Sequence, residues 1–485
     1  MLQTSRARTG AVMILAVASL ASATIGQQAT PAGRRVAIRA AHLVDPASGQ
    51  RTDDVVVLVD GDRVAQVGSR LPIPAGADTI DLGPATLLPG LIDVHTHLSS
   101  QSEDYYADTF RRSPIDAAVR APIYARRTLE AGFTTVRDVG AAEFIDVALR
   151  NAINDGSVAG PRMAVATLAL SATGGHGDLN GFSPYLRFEG FSGIADGADE
   201  LRKKVRENVK RGADWIKVLA GAGVLSEEES AGAPQYSQDE LNAVVTEAAM
   251  WGRKVAAHAH GAEAIARAAR AGVASVEHGG LVDEEGVRIM KGRGTFLVPD
   301  IITDVYILEH GAEQKLPPKI IEKERSLRPQ QDANWSRAIK AGVKLAFGTD
   351  AGVYPHGQNA RQFALLVKHD DQCRRPDGVV GPRRPRRARP LRRSDRRRRR
   401  PARRRLRARA RAVGDERRRR LQGRRRQRFS GRPGTAIAPA ACTCFQILRP
   451  TLSASATMPA SSIVTILRFR MTNSPSTTTD SMSDG

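Results

Sequence analysis

Six side chains in this sequence have the types and positions to bind metal ions. His95 and His97 stand two apart in PGLIDVHTHL, and an i, i+2 pair on a strand points to one side of it. Lys217 sits in WIKVLAG, His258 in VAAHAHG, His278 in VEHG and Asp350 in GTDAG, each in or at the end of a short apolar run. A lone HxH carries little weight. HxH followed by four more such residues at strand ends is a strong pattern. Zinc takes imidazole nitrogen and carboxylate oxygen, and a catalytic site keeps one position for water. Two ions held close together can clamp a bridging hydroxide and polarise a carbonyl. His260, two residues past His258, is an alternative ligand to it. The first 369 residues contain no cysteine, which excludes a Cys-ligated zinc site or a disulfide framework there.

The elements that carry these residues follow one rhythm. A helical stretch ends in glycine and a short apolar strand follows, as at Gly132, Gly212, Gly252, Gly272, Gly294 and Gly342. With LLPGLIDVHTHL and RMAVATLAL this gives eight strands alternating with helices, the pattern of a (β/α)8 TIM barrel over residues 86–369. A doubly wound open sheet is the alternative, weakened because no GxGxxG follows the first strand. Two connections are long and glycine-rich: Thr173–Asp178, and Gly221 to Pro234. In a barrel such loops lie on the catalytic face. Residues 35–85 read as a small β-domain with a hairpin turn at Asp60-Gly61-Asp62. Residues 1–26 have the order of a secretory signal: Arg6 and Arg8, an apolar run from Ala11 to Ile25, and small residues at Ala21-Ser22-Ala23. The mature protein is then expected in the periplasm or secreted, with no membrane span.

These motifs, in this order, resemble the metal-dependent amidohydrolase superfamily. Its imidazolonepropionase-like and Xaa-Pro or Xaa-Arg dipeptidase-like members are the most similar, and the resemblance covers roughly residues 35–369. It implies a hydrolase that cleaves amide bonds of dipeptides or N-acyl amino acids with a metal-bound hydroxide. It further implies two divalent ions, zinc first among the candidates, bridged by Lys217 carboxylated with CO2. His95, His97 and Asp350 would hold one ion, and His258 and His278 the other. Asp350 would take the proton of the water and pass it to the leaving amine. The 20-residue step from His258 to His278 fits the family better than one starting at His260. Opening of a cyclic amide, as in imidazolonepropionase, is the alternative; Lys217 argues against it. Candidate substrate contacts are His176 in its glycine-rich loop, Arg137 at the end of strand 2, and Tyr236, which precedes Ser237 and Glu240, a helix capping pair. Arg137 could also be neutralised by Asp138. The expected partner is a small molecule or dipeptide, and a homo-oligomer is left open.

Charge divides the chain. The whole carries 73 Lys and Arg against 51 Asp and Glu, a net of +22, yet residues 370–485 alone contain 32 Arg, no Lys and 8 acids. The first 369 residues are therefore nearly neutral, and the basic excess says nothing about a substrate. Helical periodicity begins at Phe363 and stops at Asp370. Arginine without lysine is what GC-rich DNA yields in a wrong frame, and DDQCRRPD read one base later permits MTNADALM, a good helix continuation. Residues 370–485 thus read as a frameshift product or a disordered tail, and the β-domain as lacking its closing strands. An arginine-rich arm that binds nucleic acid is the functional alternative. Sequencing the source locus around His369 is expected to show an open second frame encoding a family-like helix and strands. Close relatives carrying the same tail in a single clean frame would overturn this.

Overall fold

Alternating β-branched residues build the N-terminal sheet. β1 (Arg35–Val44), β2 (Arg51–Asp60) and β3 (Arg63–Ser69) form an antiparallel meander, to which β4 (Asp78–Asp81) and β5 (Thr86–Leu88) add parallel to β1. Val36, Ile38 and Ala40 face Val55, Val57 and Val59 in one buried cluster. Gly61 turns the β2–β3 hairpin at a φ of +62°, a conformation that costs glycine nothing. The computed structural model describes residues 35–183, 185–186, 192–226, 230–374 and 465–467. Residues 1–26, expected to be a secretory signal, and most of the arginine-rich tail lie outside the described residues.

The sheet reaches Leu88, three residues beyond the expected boundary at 85. Pro89, which has no amide hydrogen, and Gly90 then separate β5 from the first metal-bearing strand. A Cβ at Gly90 would collide with the side chain of Thr134 on the neighbouring strand, so only glycine fits there.

All eight expected strands occur in order: β6 (Leu91–Thr96), β7 (Phe133–Asp138), β8 (Arg162–Val165), β11 (Trp215–Leu219), β12 (Lys254–Ala259), β13 (Ser275–His278), β14 (Phe296–Val298) and β15 (Lys344–Leu345). Two short strands, β9 (Leu170–Ser171) and β10 (Gly193–Ile194), were not anticipated. β6, β7 and β8 form one parallel sheet, and β10-β9-β11-β12-β13-β14-β15 another. The Asp214 N–H donates to Val165 O at 2.8 Å, and the Val94 N–H to Phe347 O at 2.9 Å. The architecture is α/β with parallel sheets, each strand after β10 followed by a helix.

Helices Gly197–Arg211, Ala262–Ala271, Glu284–Arg293 and Pro318–Ala341 each end at a left-handed glycine, which turns the chain straight into the next strand. Their apolar sides join the larger sheet in the main core, where Ile216, Val218, Val255, Val276 and Leu297 meet Leu241, Ile265 and Trp335. Near-continuous apolar strands of this kind are what a sheet covered on both faces requires. β16 (Thr465–Leu467) pairs antiparallel with β5. This corrects the expectation of a tail without structure for those three residues, as does the helix Arg361–Arg374, which runs past the expected break at Asp370.

Two buried carboxyls lie where helix Ile301–His310 packs on helix Pro318–Ala341. Glu324 accepts from Gln331 Nε2 at 3.2 Å through one oxygen, and its other oxygen has no hydrogen-bond partner. Burial, with Asp300 and Asp332 nearby, raises its pKa to about 7; Asp304 is raised further by burial and by Glu324 itself. A carboxyl whose folded pKa is raised adds stability below that pKa and loses it as pH climbs through it. Wild-type stability is therefore expected to fall by roughly 1 kcal/mol per pH unit between the unfolded value of about 4.5 and the folded value of about 7, and to level off above that, from this group. Glu324→Gln should flatten that slope and raise the urea midpoint at pH 8.5 far more than at pH 5.5. An equal change at both pH values would contradict a buried, protonated Glu324.

Candidate metal centre

Strand ends bring the expected histidines and Asp350 into one cluster. His95 is the next-to-last residue of β6 and His97 directly follows the strand; Asp350 comes after β15 and sits between them. Its Oδ1 lies 3.3 Å from His95 Nε2 and 3.1 Å from His97 Nε2. His278 closes β13, its ring 5.0 Å from that of His95 and 4.4 Å from that of His258. His260 is here as well. It lies on the same side as His258 and stacks on His278 at 4.8 Å. Lys217 is buried on β11.

Two donor sets have their atoms mutually within 4.8 Å: His258, His260 and His278, and His95, His278 and Asp350. The grouping differs from the expected partition: His278 belongs to both sets, His260 joins His258 and His278, and His97 is in neither. Buried His258 Nε2 and His260 Nδ1 have no hydrogen-bond partner. An orphaned buried nitrogen costs about 1–3 kcal/mol, which a bound cation would offset. Imidazoles, a carboxylate and a cavity with orphaned lone pairs fit a divalent ion such as zinc.

The backbone is strained at two of these positions. His278 has a φ of +68° and Asp350 a φ of +55°. Such conformations in non-glycine residues cost about 1–3 kcal/mol and concentrate at functional sites.

Electrostatics favour the lone-pair form at some of these residues and oppose it at others. Burial, then the neighbouring imidazoles, hold His258 and His260 well below the usual histidine range, so both are neutral lone-pair donors. Burial opposes ionisation of Asp350, but His95 and His97 outweigh it and keep the carboxyl well below its usual range. Burial and Lys217 push His95 down, yet Asp350 and Glu277 hold it up, to about 9. Burial draws Lys217 down to about 8 against the pull of Glu277 and Asp350.

Several partners of the ligands were not foreseen. His97 Nδ1 lies 2.9 Å from Gly140 O, and His278 Nδ1 2.9 Å from Asp300 Oδ1. Both arrangements leave Nε2 toward the cavity, the usual way a second partner orients a ligating imidazole. Buried Asp93 accepts from the His95 N–H, Thr349 Oγ1 and Asn359 Nδ2, tying β6 to the segment that carries Asp350. One signal for Glu277 was available: a carboxylate inside SVEH, a strand that is otherwise buried. Asp300, directly after β14, stood at a strand end like the ligands themselves.

The expected substrate contacts separate. His176 reaches the cavity, stacked on His258 at 4.1 Å. Burial, then His278 and Lys217, lower its pKa to about 3. A Cβ at Gly223 would collide with the His176 ring, so the second long loop closes on the first only because that residue is glycine. Tyr236 and Arg137 do not meet the expectation. The Tyr236 hydroxyl is buried and donates to Ala195 O at 2.9 Å, away from the cavity. Its other expected context holds, since Ser237 and Glu240 form the capping box. Arg137 lies beneath the cluster, paired at 2.7 Å with Glu277 and not with Asp138. Each of its three nitrogens is already engaged with another strand, and the side chain is buried, so it is placed as a structural group and not as a substrate contact.

Comparison with known proteins accords with this geometry. The model of the Amidohydrolase family matches residues 86–379. The ochratoxinase of Aspergillus niger is 33% identical over 356 residues, spanning 69% of this chain and 72% of that protein. A crystal structure of a Xaa-Pro dipeptidase with bound methionine is 36% identical, with a TM-score of 0.65 over 69% of this chain and 84% of that one. A prolidase complexed with N-methylphosphonate-L-proline is 32% identical, with a TM-score of 0.65 over 70% and 84%. With a family match across most of the described α/β region, and relatives a third identical over two-thirds of its length, the chain belongs to the amidohydrolase family and is a hydrolase of carbon–nitrogen amide bonds.

Proposed function

We propose that the protein hydrolyses the amide bond of dipeptides or N-acyl amino acids at a centre of two divalent ions, zinc by preference. The observation that supports this reading is the clustering of His95, His97, His258, His278 and Asp350, with orphaned buried nitrogens among them and Lys217 buried on the adjoining strand. Relatives described as a dipeptidase, a prolidase and an ochratoxinase support an amide substrate. In this reading residues 86–369 form a closed (β/α)8 barrel, a closure supported by the Val94–Phe347 and Asp214–Val165 backbone bonds. Residues 1–26 direct export to the periplasm or medium, and the β-domain packs beside the barrel.

When bound, the ions would polarise the amide carbonyl and lower the pKa of an attacking water. The protein's own groups do the rest. Asp350, ionised and held by His95 and His97, receives the proton of the water and returns it to the leaving amine. Lys217 has a fraction of neutral amine at physiological pH, which carboxylation by CO2 requires, and its carbamate would bridge the ions. His176, neutral and stacked on His258, is placed to hold a substrate oxygen.

Activity on a panel of dipeptides and N-acyl amino acids, with metal analysis of each variant, tests the reading. The wild-type protein should hold about two ions per chain, since a two-metal clamp needs both. Asp350→Asn should keep much of the metal and lower kcat by about 10²–10⁴-fold, because a carboxamide cannot accept the proton. Lys217→Ala should lose activity by orders of magnitude. Retention of both ions and near-normal turnover in Lys217→Ala would sink the bridged two-metal reading. His258→Asn should be more damaging than His260→Asn; the reverse order would make His260 the principal ligand.

A further inference from the structure

Arg137 and Glu277 form a buried ion pair under the metal-binding cluster, and neither has a part in the chemistry proposed above. Arg137, on β7, uses every arm of its guanidinium on other strands. Nε donates to Val94 O of β6 at 2.6 Å. Nη1 donates to Ser275 Oγ at 2.9 Å and Nη2 to Glu277 Oε1 at 2.7 Å, both on β13. Its face covers the Trp215 ring of β11, 4.6 Å from the centroid. One side chain thus joins four strands, three of which carry or adjoin His95, Lys217 and His278.

Glu277 is divided between two tasks. Oε1 receives Arg137 and the Ser275 hydroxyl. Oε2 lies 3.1 Å from His95 Nδ1 as an ion-pair contact and accepts no hydrogen bond among the described residues. Acceptors therefore stand behind His95, His97 and His278 alike, but only the one behind His95 is a carboxylate fixed by a bidentate-capable cation. A buried pair of this sort is usually no more stable than apolar residues of the same volume, so stability alone gives little reason to keep it.

We infer that Arg137 and Glu277 are positioning residues for the metal centre: Glu277 holds the Nδ1 side of His95 so that Nε2 faces Asp350, and Arg137 fixes Glu277 while setting β6, β7, β11 and β13 at a common depth. The inference rests on the metal-dependent reading. It assigns the pair an effect on ligand geometry that is separable from its effect on folding.

Cobalt(II) titration of the full chain tests this, with affinity read by competition against a chromophoric chelator. Ligand geometry is read from the visible cobalt absorption and folding from the thermal midpoint. Glu277→Gln should weaken cobalt binding by about 10–100-fold, the usual effect of removing a partner behind a ligand, and alter the absorption band. Arg137→Lys keeps the charge but not the fork, and should give a smaller loss of the same kind. The double variant Arg137→Met, Glu277→Met removes both charges together. It should recover a near-wild-type midpoint without recovering cobalt affinity, and it carries the test if a single variant does not fold. Wild-type affinity and spectrum in Glu277→Gln, or recovery of affinity together with the midpoint in the double variant, would overturn the inference. A wild-type chain that binds no cobalt would instead remove the metal-dependent reading, and this inference with it.

Discussion

Ionisable groups buried at one mouth can coexist only if something other than bulk water offsets their charges and occupies their lone pairs. That constraint organises the molecule. His95, His97 and His278 each have an acceptor close behind the ring, and Asp350 stands between two imidazoles. Buried carboxylates continue below and behind them as Asp93, Glu277 and Asp300. Parallel strands make this feasible because their ends gather side chains from distant parts of the sequence on one side of the sheet. The helices then cover the rest with apolar surface. Among the described residues, the buried ring nitrogens without a hydrogen-bond partner include His258 Nε2 and His260 Nδ1, from β12 and the turn after it, and His176 Nδ1, whose ring stacks on His258.

Much of this was legible in the sequence because period and punctuation are local. Six apolar runs behind glycine caps and two further runs gave the eight strands, and the ligand-type residues at their ends gave the cluster. The capping box at Ser237 and the hairpin at Gly61 rested on neighbouring residues alone. What escaped depends on distance through space. Arg137 and Glu277 are 140 residues apart, and nothing near Arg137 distinguishes an arginine that points into a protein from one that greets a carboxylate substrate. Tyr236 sits at the foot of a correctly located helix, but its ring could turn to core or cavity, and the Ala195 carbonyl that captures it is 41 residues upstream. The choice between His258 and His260 was likewise open, because a strand end places both on the same side.

The N-terminal sheet shows the same limit. Its alternation was plain, but the boundary was placed at residue 85 because β5 runs directly into the motif that bears His95. Only pairing with β1 assigns Thr86–Leu88 to the sheet, and pairing is not a property of the segment itself.

The left-handed backbone at His278 and Asp350 bears on how such a protein can change over generations. At both positions glycine would relax the main chain and relieve the crowding of charge, so drift toward it runs downhill in folding free energy. Proteins sit near a stability threshold, and losses of strain of this kind are readily accepted when nothing opposes them. A histidine and an aspartate that persist at such sites are held there by what they do for a reaction. A descendant released from that reaction would be expected to lose these two residues early while its glycine caps and apolar strands endure.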